Sequence, residues 1–235
     1  MASEVDICNL ALSYLGDTAL VTSINPPTGS AQAAHCARFY PAARDQVLEM
    51  HPWNFCTGRA LLAQLSSNPT VNSTLNPNGV WSYAYAAPNN ALNYLAVYDP
   101  QSASDYWATF TDPTNSITFG APGQGGVPIS KDFVVETDPN TGSEIILTNQ
   151  VNAALRYSFI VTDTTKFSPL ATDCIARLLA AKLAGPLIKG EEGRAAVKDQ
   201  MAAFAVSLAM AQASDANSRR VTPPKSTASW ITGRN

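Results

Sequence analysis

Charged side chains are scarce in this sequence of 235 residues. Only 14% of the residues are Asp, Glu, Lys or Arg, whereas about a quarter is usual for a soluble domain. The body of the chain is also acidic, which argues against a nucleic-acid binder because phosphate neutralisation needs a positive surface. A surface with so little charge suggests that much of it contacts other proteins.

Long apolar runs are missing as well. No stretch of about 18 consecutive apolar residues occurs, so the sequence predicts no membrane span and no membrane partner. The N-terminal residues lack the basic start and long apolar stretch of a signal peptide. We therefore expect the protein to be made in the cytoplasm.

Cysteine and histidine are too few and too scattered to indicate a metal site. No Cys-x-x-Cys pair occurs, and the two histidines, His35 and His51, have no evident partners for a triad or a metal. We expect structural or surface histidines, buried thiols without a disulfide, and no cofactor. The cysteines are Cys8, Cys36, Cys56 and Cys174.

Motifs of common enzymes are absent. The sequence has no Gly-x-Ser-x-Gly, no Gly-x-x-x-x-Gly-Lys and no His-Glu-x-x-His. Residues 120–126 are rich in glycine, but a proline interrupts them and no clear strand and helix flank them. This segment is typical of a loop, and we expect a protein without enzymatic activity.

Two alternatives rest on particular side chains. Glu136, Asp138 and Glu144 lie near one another in sequence, and paired carboxylates could cleave a glycosidic bond, as in a peptidoglycan hydrolase. Turn formation is the simpler interpretation of this group.

Aromatic residues prompt the second alternative. Trp81, Tyr83 and Tyr85 could stack on sugars in a carbohydrate-binding β module. Their alternation with small residues favours the half-buried face of a strand instead.

The N-terminal quarter predicts two amphipathic helices joined by a turn. Ser3 can cap the first helix together with Asp6, and Ser30 can cap the second after a Pro-Pro-Thr-Gly turn. Pro41 should kink or split the second helix, and Pro52 should end it.

Short apolar and aromatic runs separated by turn residues follow. They predict several antiparallel strands in a small sandwich or barrel. The run from Cys56 to Leu65 is ambiguous between strand and helix, and we favour a strand.

Helical patterns return after Ser168. Pro169 suits the first turn of a helix that reaches about Lys189, and Gly185-Pro186 should bend or interrupt it. A further helix is predicted over Glu191–Gln212. Its apolar face should comprise Val197, Met201, Phe204 and Leu208.

This order of elements predicts an α+β fold. Residues 1–55 and 166–215 should form a helical bundle from the two ends of the chain, and residues 56–165 an inserted antiparallel β domain resembling a sandwich or barrel. Residues 216–235 should form an extended C-terminal arm.

The predicted arm has the opposite charge to the rest of the chain. It carries +4, which leaves −7 for residues 1–215 of the chain total of −3. A flexible basic segment that ends in an apolar anchor is typical of a docking arm. We identify its docking residues as Arg219, Arg220, Pro223, Pro224, Lys225, Trp230, Ile231 and Arg234.

Several short motifs together resemble one known family. They are Ile7-Cys-Asn-Leu-Ala-Leu-Ser-Tyr-Leu-Gly16, Ile24-Asn-Pro-Pro-Thr-Gly-Ser-Ala-Gln32, Tyr40, Arg44, Pro52-Trp-Asn-Phe55, Tyr83-Ala-Tyr85, Pro88, Leu155-Arg-Tyr157, Phe167-Ser-Pro169 and Trp230-Ile-Thr-Gly-Arg234. The sequence resembles the head-to-tail adaptors of short-tailed phages, also called tail tubular protein A or tail accessory factor.

The resemblance implies a structural virion protein in the neck of the tail, assembled in the host cytoplasm. It implies a ring, a dodecamer, that docks under the portal protein and extends the DNA channel to the tail nozzle protein. DNA would pass through without specific binding. It also implies that the C-terminal arm reaches the portal.

Overall fold

The computed structural model describes residues 2–18, 20–67, 80–100 and 130–218, together with the backbone of four two-residue strands between 107 and 128. This part of the chain has four α-helices and antiparallel sheets, so the predicted α+β fold is confirmed. Within it, no helix is long and apolar enough to cross a membrane.

Helix α1 (Glu4–Tyr14) begins with the predicted capping box. The Ser3 hydroxyl accepts a hydrogen bond from the Asp6 amide at 3.1 Å, and the Asp6 carboxylate accepts one from the Ser3 amide at 2.8 Å. Two amides at the helix start thereby gain partners. The hydrogen bonds of the Asp6 carboxylate to the Ser3 backbone and side chain lower its pKa.

Helix α2 (Ala31–Glu49) is capped by Ser30, whose hydroxyl accepts from the Ala33 amide. Pro41 lies inside this helix and does not split it, so that part of the prediction is wrong. The reason is the position of the proline on the exposed face. Water can reach the carbonyl that loses its helical partner there.

Helices α3 (Pro169–Ile188) and α4 (Gly190–Asn217) are separated by a single residue. The predicted interruption at Gly185-Pro186 is wrong, because α3 continues through both. The chain breaks at Lys189 and Gly190, which have φ values of 58° and 65°. These left-handed conformations cannot continue a right-handed helix.

The buried face of α4 differs from the predicted one. Phe204 is buried as expected, but Met201 is 43% exposed. The buried positions on this helix are small or polar except for the phenylalanine: Gly193, Phe204, Ser207 and Ala211. A Cβ at Gly193 would lie 3.3 Å from the Ala184 carbonyl oxygen. The contact with α3 is therefore too close for large side chains, and the larger residues lie beside it.

The described chain folds as two compact units. The first, here called the helical unit, comprises residues 2–57 and 158–218, and the second, the β unit, comprises the described residues between 58 and 157. The predicted boundary at 55/56 lies two residues before the first boundary of the structure, and the predicted boundary at 165/166 lies eight residues after the second. Both ends of the chain therefore contribute to one unit.

The β unit contains a three-stranded and a four-stranded sheet. The ambiguous run after Cys56 forms two strands, and two longer strands follow it: β1 (Thr57–Leu61), β2 (Gln64–Ser67), β3 (Tyr83–Ala86) and β4 (Ala91–Tyr98). Four short strands are β5 (Trp107–Ala108), β6 (Phe110–Thr111), β7 (Thr118–Phe119) and β8 (Val127–Pro128). The last strands are β9 (Phe133–Thr137), β10 (Glu144–Thr148) and β11 (Ala154–Phe159).

The sheet order brings distant strands together. The three-stranded sheet has the order β1-β11-β4, and the four-stranded sheet the order β2-β3-β10-β9. In the larger sheet, Ile146 lies opposite Tyr85 on β3 and Val135 on β9, and all three ladders are antiparallel. The short strands pair as β5-β8 and β6-β7.

One apolar core joins side chains of both sheets. Tyr85 and Ile146 of the larger sheet pack with Val97 and Leu155 of the smaller one, and all four are buried. The opposite face of the larger sheet buries Ile145 and Leu147, as alternation requires. Such double burial explains the continuous apolar run in β10.

The predicted common face of the three aromatic residues is only partly correct. Tyr83 and Tyr85 pack in or against the core between the sheets, but Trp81 packs against the opposite face of β3 and β10. A bend at Ser82, just before the strand, changes the alternation. Tyr85 is fully buried and so cannot stack on a sugar.

Tyr85→Phe tests this core. The Tyr85 hydroxyl donates to the Gln150 carbonyl at 2.8 Å and accepts from the Ala153 amide at 3.4 Å. We expect the substitution to lower the free energy of unfolding by about 1–2 kcal/mol, because two buried groups lose their partner. Urea denaturation followed by tyrosine fluorescence and circular dichroism measures the loss.

Tyr83→Phe is the matched control, since the Tyr83 hydroxyl has no hydrogen-bond partner among the described residues. We expect a change within about 0.5 kcal/mol. Equal losses in the two variants would show that the Tyr85 hydrogen bonds do not stabilise the unit.

Candidate functional site

The predicted docking residues all lie outside the described residues. They are Arg219, Arg220, Pro223, Pro224, Lys225, Trp230, Ile231 and Arg234. The structure does describe the segment that precedes them, which is the end of α4 at Asn217 and Ser218. The environment of this helix end is therefore the described part of the candidate site.

Asp215 holds the end of α4 against the segment that follows α2. Its carboxylate accepts hydrogen bonds from the Asn54 amide at 3.2 Å and lies 3.3 Å from His51 Nε2. The Asp215 carbonyl accepts a further bond from the Asn54 side chain at 2.7 Å. We call this cluster of Asp215, His51 and Asn54 the arm root. It fixes where the chain leaves the helical unit, since Asp215 lies four residues before Arg219.

Trp53 packs against the arm root. The indole is fully buried, and its Nε1 donates to the Val47 carbonyl at 2.8 Å. The His51 ring packs edge-on against it, with centroids 4.8 Å apart, and Phe55 stacks at 5.8 Å. Pro52 keeps this segment extended between α2 and the aromatic anchor. His51 thus has the structural role predicted for it.

A second polar cluster joins α1, α3 and α4 inside the helical unit. The Asp173 carboxylate accepts hydrogen bonds from the Tyr14 and Ser207 hydroxyls, at 2.5 Å each, and from Arg177 Nε at 2.9 Å. The Arg177 guanidinium also lies 4.5 Å from the centre of the Tyr14 ring. Three donors from three helices therefore satisfy one carboxylate.

These contacts shift two pKa values. Burial by itself would raise the pKa of Asp173, but hydrogen bonds from Ser207, Tyr14 and Arg177, with the Arg177 charge, lower it below the ordinary value. Burial and the bond to Asp173 raise the pKa of Tyr14 to about 12. At neutral pH the cluster is an ionised carboxylate held by neutral hydroxyls and a cation. The lowered pKa of Asp173 makes this carboxylate a weak base towards the Ser207 hydroxyl.

All four cysteines are buried and free, as predicted. A hydrogen bond with Cys36 and burial raise the pKa of the Cys8 thiol, and burial raises the pKa of Cys56 to about 11. Such thiols stay protonated at neutral pH and are poor nucleophiles. Among the described residues, no three His, Cys, Asp or Glu side chains lie close enough to hold a metal ion.

The three predicted carboxylates do not form an acid–base pair. Glu136 lies opposite Ile145 in the ladder, so it and Glu144 point to opposite faces of the sheet. Asp138 accepts from the Asn140 amide and the Thr141 hydroxyl in a turn, and these bonds lower its pKa. The Glu144 carboxylate accepts from the Tyr94 hydroxyl. This geometry favours the turn interpretation.

An open groove lies between three helices of the helical unit. It has a volume of about 620 Å³. Five apolar and three polar residues line it: Gln46, Glu49 and Met50 of α2, Leu178, Ala181 and Lys182 of α3, and Val197 and Met201 of α4. Met50 and Met201 remain about half exposed. The sequence did not predict this groove.

Sequence reasoning also missed the arm root and the Asp173 cluster. A signal for both was present, because Ser207 and Asp215 recur on the helical stripe that contains Phe204 and Ala211. A polar residue on a buried stripe needs a partner. The partners, however, lie more than 30 residues away or on other helices, so spacing alone could not identify them.

No protein-family model matches the sequence, and no curated protein matches it.

Asp215→Ala tests the arm root. We expect a loss of about 1–2 kcal/mol in the free energy of unfolding, because the Asn54 amide loses its partner. Hydrogen exchange should accelerate in the last turn of α4, which the cluster holds. Asn217→Ala on the same helix end, which is exposed, is the control and should leave both quantities unchanged. Unaltered exchange in Asp215→Ala would contradict the assignment.

Asp173→Asn tests the inner cluster through its pH dependence. The unfolded chain titrates near the ordinary Asp pKa of about 3.9, and the folded pKa is lower. The ionised carboxylate therefore stabilises the fold above about pH 4, and this contribution is lost as pH falls through the folded pKa. We expect Asp173→Asn to cost about 1–3 kcal/mol at pH 7 and less near pH 3.

Urea denaturation at the two pH values measures this difference. Asp199→Asn on the exposed face of α4 is the control, with an expected change within about 0.5 kcal/mol at both. A cost for Asp173→Asn that does not depend on pH would show that the lost interaction is steric.

Proposed function

We propose that this chain is a head-to-tail adaptor of a short-tailed phage, a structural protein of the virion neck. In this proposal, copies of the chain form a ring of twelve beneath the portal and continue the DNA channel towards the tail nozzle. The protein acts by assembly and has no cofactor and no catalytic turnover.

One structural observation supports the proposal in addition to the sequence motifs. The two ends of the chain contribute helices to one unit, and a β unit is inserted between them. This is the arrangement that the resemblance implies. A fold alone does not establish a function, so the argument also depends on the arm and on how it is attached.

The arm root supports the proposed mode of docking. Because Asp215 ties the end of α4 to Asn54 and His51, the arm departs from a fixed point. A fixed origin raises the effective concentration of the arm at a nearby binding surface. The arm itself contributes four positive charges and the apolar Trp230 and Ile231. We propose that these residues bind the portal.

The charge of the remaining chain suits a channel wall. Residues 1–215 carry a net charge of −7, and like charge keeps DNA from adhering during passage. Arms that order only on the portal would make ring formation follow DNA packaging.

Deletion of residues 216–235 tests docking. We expect the truncated protein to stay folded, since the last buried apolar residue among those that the structure describes in the helical unit is Ala211. It should lose co-sedimentation with a purified portal ring of the same phage. Unchanged portal binding by the truncated protein would overturn the arm hypothesis.

A finer control separates charge from anchoring. Trp230→Ala leaves the arm charge intact, whereas Arg219→Gln with Arg220→Gln leaves the anchor intact. If both contribute, the first should weaken binding at all salt concentrations and the second mainly at low salt. Retention of the native circular dichroism spectrum shows that each variant is folded.

A further inference from the structure

The interface between α1 and α2 contains two thiols in contact with each other. Cys8 of α1 and Cys36 of α2 are both fully buried, and a hydrogen bond joins their side chains. Cys174 is equally buried, but its thiol donates to the Ser207 hydroxyl at 3.5 Å. The first pair therefore has what a disulfide needs, two sulfurs from different elements held side by side.

The two helices place further polar groups beside this pair. Glu4 lies one turn before Cys8 on α1, and Tyr40 lies one turn after Cys36 on α2. Tyr40 is 1% exposed, and its hydroxyl has no hydrogen-bond partner among the described residues. Burial raises the pKa of this hydroxyl, and Glu4 and Cys8 raise it further, so both lie near it. A buried hydroxyl without a partner is unusual, and it is available as a donor at the sulfur pair.

The hydrogen bond makes the two sulfurs chemically different. It raises the pKa of Cys8 and lowers the pKa of Cys36, although the burial of Cys36 acts in the opposite direction. Cys8 therefore keeps its proton and donates, whereas Cys36 accepts and ionises more easily. Because the thiolate is the nucleophile, Cys36 is the sulfur that attacks an oxidant. Cys8 is already in contact with it.

We propose that Cys8 and Cys36 form a reversible disulfide that ties α1 to α2 when the protein enters an oxidising environment. The oxidant in this proposal is a hydroperoxide, of which hydrogen peroxide is the smallest. In a reducing compartment the pair stays in the thiol form that the structure shows. This inference does not depend on the adaptor role.

The reaction takes place in two balanced steps. The Cys36 thiolate attacks one oxygen of the peroxide, the O–O bond breaks, and Cys36 becomes a sulfenic acid. The departing hydroxide takes up the proton that Cys36 lost and leaves as water. The Cys8 sulfur then attacks the Cys36 sulfur, the S–O bond breaks, and the second oxygen leaves as water with the Cys8 proton. The two sulfurs lose two electrons, and the peroxide gains them.

The cross-link would stabilise a helix that depends on its neighbours. Helix α1 has 11 residues, and helices of this length are marginal without tertiary packing. Transient opening of such a helix also gives a small oxidant access to the buried pair. The disulfide would hold α1 on α2, and with it the contact that Tyr14 makes with Asp173.

Thiol counting on the purified full-length chain tests the reaction. After removal of reductant, the protein is treated with hydrogen peroxide, unfolded and alkylated with N-ethylmaleimide. Mass spectrometry should find two alkylated cysteines instead of four, and a peptide that links Cys8 to Cys36. Dithiothreitol should restore all four. Sulfinic acid without a cross-link, a link to Cys56 or Cys174, or four unreacted thiols would overturn the proposal.

Two serine variants separate the attacking sulfur from the resolving one. In Cys8→Ser, Cys36 should stop at the sulfenic acid, which dimedone labels, because no thiol can displace its oxygen. Cys174→Ser is the matched control, since it removes an equally buried thiol and should still form the link. Absence of the label in a Cys8→Ser protein with a native circular dichroism spectrum would contradict the assignment of Cys36.

Tyr40→Phe tests the unpartnered hydroxyl. We expect a several-fold slower formation of the link with peroxide, because the donor for the oxygen at Cys36 is lost. The substitution removes no hydrogen bond from the described structure, so the fold should be unchanged by circular dichroism. An unaltered rate would overturn the role given to Tyr40.

Hydrogen exchange and thermal unfolding test the effect on the helices. The oxidised protein should exchange more slowly in α1 than the reduced protein, with exchange in the last turn of α4 unchanged as the internal control. The cross-link closes a segment of 28 positions (36 − 8), and we expect Tm to rise by about 5–10 °C. A lower Tm, or unchanged exchange in α1, would show that the disulfide does not hold the helix and would overturn the proposal.

Discussion

The close contact between α3 and α4 is the constraint on which the helical unit depends. Gly193 on α4 leaves room for the Ala184 carbonyl of α3, and the buried positions of α4 are small apart from Phe204. Close packing brings Ser207 within hydrogen-bond distance of Asp173, which also binds Tyr14 of α1. A larger residue at 193 would press on the Ala184 carbonyl oxygen and on Ile188 at the end of α3.

Local chemistry accounts for the parts of the fold that could be predicted. The caps at Ser3 and Ser30, the order of helices and strands, and the burial of the cysteines follow from hydrogen bonds and apolar periods within a few residues. The wrong predictions concern features that depend on tertiary packing. Pro41 is tolerated because it faces solvent, and Met201 is exposed because small residues occupy the contact instead.

The candidate site was predictable only in part, for the same reason. Composition indicates a basic arm with an apolar anchor, but nothing near Asp215 in sequence points to Asn54, which is 161 residues away. The groove needs three helices to form, and no periodic pattern describes a surface shared by three. Polar residues on a buried stripe were the one available signal for these long-range contacts.

The division of the helical unit between the two chain ends has a consequence for synthesis. Helices α1 and α2 leave the ribosome before α3, their packing partner, which begins at Pro169, 120 positions after the end of α2 at Glu49 (169 − 49). Until then their apolar faces lack a cover, and a chaperone or a transient contact must shield them. The β unit can fold during this interval, and by doing so it shortens the loop that the helices must close. Because the β unit is synthesised between the two parts of the helical unit, its folding helps the helical unit to form.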